Sequence, residues 1–125
     1  MKERVEVLIV VEDEPDMRMM LRVMLETDPR ISIVGEAEDA ATAIELARSS
    51  HPGLIILDHS IQGDVMGLQA APLLKEAAPQ AKILLFTAFD LKSEAAVEPA
   101  IDEYLNKTDI GVLLPTVQRM LALPA

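Results

Sequence analysis

Four short runs of Val, Ile and Leu and a weaker fifth begin near Val7, Ile31, Leu54, Ile83 and Tyr104. That spacing constrains the chain more than any other feature. Runs of this length fall far short of the ~20 apolar residues a membrane span needs. They are also too continuous for strands with one wet face, and they suit strands buried on both faces. The segments between them have helical period. Met17, Met20, Leu21, Met24 and Leu25 follow the i, i+3, i+4, i+7, i+8 rule, and Ala40, Ala43, Ile44 and Ala47 repeat it. A third helix is expected over Leu68–Ala78, with Pro72 near its first turn. A last one is expected from about Ile110 to Leu123, where Pro115 forces a late start or a kink.

The pattern reads βαβαβαβαβα, an α/β chain with a parallel sheet, helices on both faces and right-handed crossovers. Five strands favour a flavodoxin-like doubly wound (βα)5 fold with strand order 2-1-3-4-5. The 125 residues carry no repeat, low-complexity tract or linker, so one domain over 1–125 is expected. There is no cysteine, which excludes disulfides, zinc ribbons and thiol catalysis. The net charge of −10 and only three aromatics (Phe86, Phe89, Tyr104) argue against nucleic-acid binding by this domain and against an anionic membrane surface. The N-terminal MKERVEV has no apolar core of a leader, so a cytoplasmic protein is expected.

In open α/β sheets ligands bind beyond the carboxyl ends of the strands, at the switch point. Glu12, Asp13 and Glu14 follow the first strand; Asp58, His59 and Ser60 follow the third; Thr87 follows the fourth and Lys107 the fifth. Each has an ordinary reading alone. Acids after a strand are usually solvated or cap a helix, Thr87 is a strand-end hydroxyl, Lys107 a surface lysine, and His51 and His59 solvated loop residues. The convergence of four strand ends is what points to a site. Two carboxylates about 4 Å apart repel by ~4 kcal/mol at an effective dielectric of 20, and one lysine cannot offset three acids. A divalent cation is implied, and an all-oxygen donor set favours Mg²⁺, Mn²⁺ or Ca²⁺. Such a site leaves room for a phosphoryl group, with Asp58 as the best-placed nucleophile.

These residues resemble response-regulator receiver domains of two-component signalling. VLIVVEDEPDMRMML resembles the family's first strand and helix, LIILD its phosphoacceptor strand, LLFTA its switch strand and EYLNK the strand with its essential lysine. The resemblance covers nearly the whole chain. It implies that Asp58 is the phosphoacceptor and that Asp13 binds Mg²⁺ directly (Mn²⁺ being the alternative). Glu12 would help through water, and Ser60 would offer its backbone carbonyl. It also implies that Thr87 and Lys107 engage the phosphoryl group and that Tyr104 reports the switch. The partners implied are a histidine kinase or phosphotransfer protein, an output protein met by the fourth helix, fifth strand and fifth helix, and a homodimer formed on phosphorylation. No enzymatic activity beyond self-phosphorylation and autodephosphorylation is implied. ISIVGEAEDAATAIELA resembles receivers that often carry a DNA-binding domain after them.

Three departures stand out. Gln62 replaces the family's usual Pro four residues after the acceptor, and Gly67 comes one residue late, so the loop after the third strand is longer and its path and the access to Asp58 are open. Thr108 replaces the Pro that usually follows the lysine; a non-proline cis bond there would cost ~2.5–4 kcal/mol. Glu103 replaces a common Gly and would add charge beside Tyr104. Phe89, two residues past Thr87, would shield an acyl phosphate from water. The rivals are a phosphorylation-independent receiver acting as an interaction module, a Mg²⁺-dependent aspartyl-phosphate hydrolase, and a flavin-binding module. The hydrolase would need Asp-x-Asp after the first strand and room for a cap domain. The flavin module would need a phosphate cradle where acids stand here.

Overall fold

The computed structural model describes residues 6–124, and the charged N-terminal residues 1–5 lie outside it. Five parallel strands form one sheet: β1 Glu6–Val11, β2 Ile31–Ala37, β3 Leu54–Leu57, β4 Lys82–Thr87 and β5 Glu103–Asn106. Their spatial order is β2-β1-β3-β4-β5, as the run spacing implies. The helices between them are α1 Pro15–Leu25, α2 Ala40–Ser50, α3 Gly67–Ala77, α4 Lys92–Ala96 and α5 Leu113–Met120.

Alternation along each strand divides the core in two. Ile9, Val11, Ile55, Leu57, Ile83 and Leu85 face a layer rich in alanine, including Ala43 and Ala47 of α2 and Ala70 and Ala71 of α3. Val10, Leu54, Ile56, Leu84 and Phe86 face larger side chains, Leu21 and Leu25 of α1 and Leu113, Val117 and Met120 of α5. Both faces are covered, which is why the runs are continuous rather than alternating. Edge strand β2 is bulged, since its register with β1 shifts between Leu8 and Ile9. Arg22 of α1 and Glu26, just past its end, bind its backbone: Ile33 N–H donates to Glu26 at 2.9 Å and Ile33 C=O accepts from Arg22 at 3.1 Å. A sheet edge occupied in this way is a poor template for another strand.

Two helices depart from the sequence expectation. Pro72 lies in the second turn of α3 and not near its first. The reason is the helix start. A Cβ on Gly67 would lie 2.2 Å from the Asp58 carbonyl oxygen, so only glycine allows α3 to begin so close to β3. Pro72 then leaves one helix carbonyl without its usual donor, at an exposed position. α5 starts at Leu113, with Pro115 in its first turn, so the late start holds; residues 107–112 form a 3-10 run instead. α5 ends at Met120 rather than Leu123, because Ala122 turns left-handed (φ 56°) and Leu123 N–H returns to the Gln118 carbonyl at 2.8 Å. The peptide bond from Lys107 to Thr108 is trans.

Candidate functional site

Backbone pairing carries the sheet one residue beyond its central strands. Asp58 N–H donates to Val11 C=O at 3.0 Å, and Glu12 N–H donates to Ala37 C=O at 2.9 Å. Both side chains are therefore set by the sheet and not by a free loop, and both are buried (Glu12 2%, Asp58 4% exposed). Lys107, just past β5, reaches across. Its Nζ donates to Glu12 Oε1 at 2.7 Å and to Asp58 Oδ2 at 2.8 Å. Asp13 completes the cluster, and carboxylate oxygens of Glu12, Asp13 and Asp58 lie within 4.8 Å of one another. Asp13 is the more exposed of the three.

Burial pushes the Glu12 carboxyl up to about 7; the Lys107 hydrogen bond opposes this and the Asp58 charge adds to it. Burial works against the Lys107 ammonium, yet its hydrogen bonds to Asp58 and Glu12 outweigh that and hold its pKa above the usual lysine value. Three carboxyl groups thus meet one ammonium. A hard divalent cation fits this donor set, because every donor is an oxygen and Asp13 leaves the cluster open on one side.

Thr87 ends β4 fully buried, and its Oγ1 accepts from Phe89 N–H at 3.5 Å. Tyr104 is half-buried. Its hydroxyl donates to the Phe89 carbonyl at 2.7 Å and accepts from Asn106 Nδ2 at 3.2 Å. Ser60 N–H donates to Asp58 Oδ1 at a long 3.4 Å. Glu12, Asp13, Asp58 and Lys107 are thus joined in one cluster at the ends of β1, β3 and β5, while Thr87 and Tyr104, on β4 and β5, both bond Phe89 instead.

The contacts made by three residues were not visible in the sequence. Arg18 of α1 donates to the Glu12 carbonyl at 2.8 Å and to Glu36 at 3.1 Å, which fixes the β1–α1 loop. His59 is half-buried and bonded, not solvated: its Nδ1 accepts from Leu68 N–H at 3.2 Å. Gln62 N–H donates to the Glu38 carbonyl at 2.8 Å. A proline has no such donor, so the Gln62 departure lets the longer loop pair with the β2–α2 loop. One residue further on, Gly63 has a positive φ of 89°. The Glu103 charge, expected to add to the surface beside Tyr104, is paired with Arg119 of α5.

Fold and site together define a receiver of two-component signalling, and the chain belongs to the response regulator receiver domain family, whose model matches residues 8–118. It is similar to the nitrate/nitrite response regulator NarP of Escherichia coli, 35% identical over 114 residues, covering 89% of this chain and 53% of that protein. The chain spans about half the length of the curated relatives it matches. Among solved structures it is similar to a LuxR-family two-component response regulator from Aurantimonas (28% identity, TM-score 0.86, covering 94% of this chain and 86% of that one). It is also similar to the response regulator TrrA of Thermotoga maritima, determined in complex with Mg²⁺ and BeF (29% identity, TM-score 0.81, covering 93% and 99%). Among the described residues no helix is long and apolar enough to cross a membrane.

Proposed function

We propose that this chain is a phosphorylation-controlled switch whose acceptor is Asp58. The observation that carries this reading is the grip of Lys107 on a buried Asp58 beside Glu12 and Asp13. Phosphoryl transfer needs little covalent chemistry from the protein beyond a placed nucleophile and charge to meet the transferring oxygens. The donor is a phosphohistidine of a kinase or phosphotransfer protein in the cytoplasm. An Asp58 carboxylate oxygen bonds to phosphorus as the P–N bond breaks. The donor imidazole nitrogen keeps the electron pair and takes a proton.

Asp13, Asp58 and the Ser60 carbonyl, with Glu12 acting through water, are the groups that would hold Mg²⁺ (or Mn²⁺). When bound, the ion offsets the negative charge of the phosphoryl oxygens. Lys107 exchanges its bond to Asp58 for one to a phosphoryl oxygen. Thr87 turns its hydroxyl from Phe89 N–H toward the same group. The acyl phosphate adds about −1.5 to −2 charge, and that charge biases a two-state arrangement of the β4–α4 loop and Tyr104. The α4–β5–α5 face then meets an output protein or a second copy. This domain has no role in binding nucleic acid directly, given its charge of −10.

The test is Mg²⁺-dependent beryllofluoride binding followed by NMR on wild type and Asp58→Asn. Wild type is expected to bind, with shifts reaching Thr87 and Tyr104, and the variant is expected not to bind. Equal binding by both overturns the assignment of Asp58. Binding by neither points to a phosphorylation-independent interaction module.

A further inference from the structure

Phosphoryl transfer as described uses Asp58 and Thr87 but not the two rings just beyond them. His59 follows Asp58 in the β3–α3 loop, and Phe89 lies two residues past Thr87 in the β4–α4 loop. Their ring centroids are 5.8 Å apart with an interplanar angle of 78°, an edge-to-face contact of the kind aromatic rings prefer. Each ring is anchored from behind. The His59 carbonyl accepts from Gly67 N–H at 2.9 Å while its Nδ1 accepts from Leu68 N–H. Met66, the residue before α3, provides no side-chain cap, so His59 serves one of the orphan donors of the α3 N-terminus from nine positions upstream. The Phe89 carbonyl is held by the Tyr104 hydroxyl. The ring pair therefore spans the gap between the two loops that flank Asp58, and those loops cannot part on that side without breaking it.

We propose that His59 is a positioning residue that caps α3 through Nδ1 and latches its ring onto Phe89, slowing the access of both phosphodonor and water to Asp58. This rests on Asp58 being the phosphoacceptor. In the hydrolysis it restrains, a water oxygen bonds to phosphorus and the bond from phosphorus to the Asp58 oxygen breaks. The carboxylate is restored, and the water protons leave with inorganic phosphate and solvent. A contact between the loop that carries the acceptor and the loop that follows Thr87 also ties α3 to Tyr104 through a single pair of rings.

The two parts of the role separate by substitution. In His59→Asn an amide oxygen stands one bond from Cγ, as Nδ1 does, so the cap is kept and the ring is lost. In His59→Phe the ring is kept and the acceptor is lost. Rates of Asp58 phosphorylation by acetyl phosphate and of acyl-phosphate hydrolysis are measured beside thermal stability. His59→Asn and Phe89→Leu are each expected to raise both rates roughly 2- to 10-fold, the scale of one aromatic pair. The double variant should be no faster than either single one. His59→Asn should melt like wild type, whereas His59→Phe should melt lower with wild-type rates. Rates that follow stability instead, faster in His59→Phe and unchanged in His59→Asn, overturn the latch, as do independent, multiplying effects in the double variant. A wild type that takes no phosphoryl group overturns the phosphoacceptor reading and the rate control together, which separates that failure from failure of the latch alone.

Discussion

Two loops flank Asp58, and they are held in place very differently. The β3–α3 loop is tied at three points: Gln62 to the Glu38 carbonyl, Gly67 to the His59 carbonyl and Leu68 to the His59 ring, with Ile61 buried beneath it. Apart from one backbone bond, Leu91 N–H to the Phe89 carbonyl at 3.0 Å, the β4–α4 loop leans on side chains. Phe89 N–H meets Thr87 Oγ1 only at 3.5 Å, Asn106 Nδ2 reaches the Ala88 carbonyl at the same 3.5 Å, and the Tyr104 hydroxyl holds the Phe89 carbonyl. Phe89 itself is 51% exposed, and α4 beyond it is a five-residue helix that buries Ala95 alone. Segments with few buried apolar contacts and exposed hydrogen bonds open at low free energy. The phosphoryl site proposed for Asp58 would need one wall that keeps nucleophile and cation ligands in place and another that can rearrange in response. Here the division falls between β3 and β4, neighbours in the sheet.

The comparison breaks most visibly if the fixed wall can be loosened cheaply. Gly67→Ala drives a Cβ into the Asp58 carbonyl, a backbone atom that cannot move aside. It is expected to cost about 3 kcal/mol or more in urea denaturation and to abolish beryllofluoride binding. Gly63→Ala on the same loop has open space around it and only its positive φ to overcome, so about 1–2 kcal/mol is expected. Similar losses at both glycines would mean that the close approach of α3 to β3 is not what fixes this wall. Gln62→Pro is the next step down. It deletes the N–H that reaches Glu38, at about 1–2 kcal/mol. Hydrogen exchange should quicken at Gly67 and Leu68 in that variant and stay unchanged at Phe89. Faster exchange at Phe89 alone would contradict the assignment of Gln62 to the fixed wall.

The same division marks how far the sequence could be read. The strands and their order follow from apolar runs buried on two faces, and sheet topology then brings Glu12, Asp13, Asp58, Thr87 and Lys107 together. Periodicity carries no information about what one loop does to another, so the contacts of Arg18, His59 and Gln62 were out of reach. The one usable signal was at Gln62: a residue with an N–H in place of a proline announces a new backbone partner, although not which one. The Pro72 position was misjudged for a related reason. Helix propensity places a proline in a first turn, but the start of α3 is dictated by the approach of Gly67 to the backbone of β3.

The finest test concerns the lightly held wall. Tyr104→Phe removes the hydroxyl that holds the Phe89 carbonyl and accepts from Asn106. Because that hydrogen bond lies at the surface, its loss should cost only about 0.5–1 kcal/mol, less than any of the three changes above. Its consequence should instead be local. Amide exchange should rise at Phe89 and Leu91 while Gly67 and Leu68 keep their protection, since the latter draw on His59 and not on Tyr104. A variant that loosens both loops equally would show that the ring contact between His59 and Phe89 transmits more than it restrains, making the two walls one mechanical unit. A variant that loosens only the β4–α4 loop keeps them distinct, with the Tyr104 hydroxyl as the tether that a phosphoryl group on Asp58, as proposed, would work against.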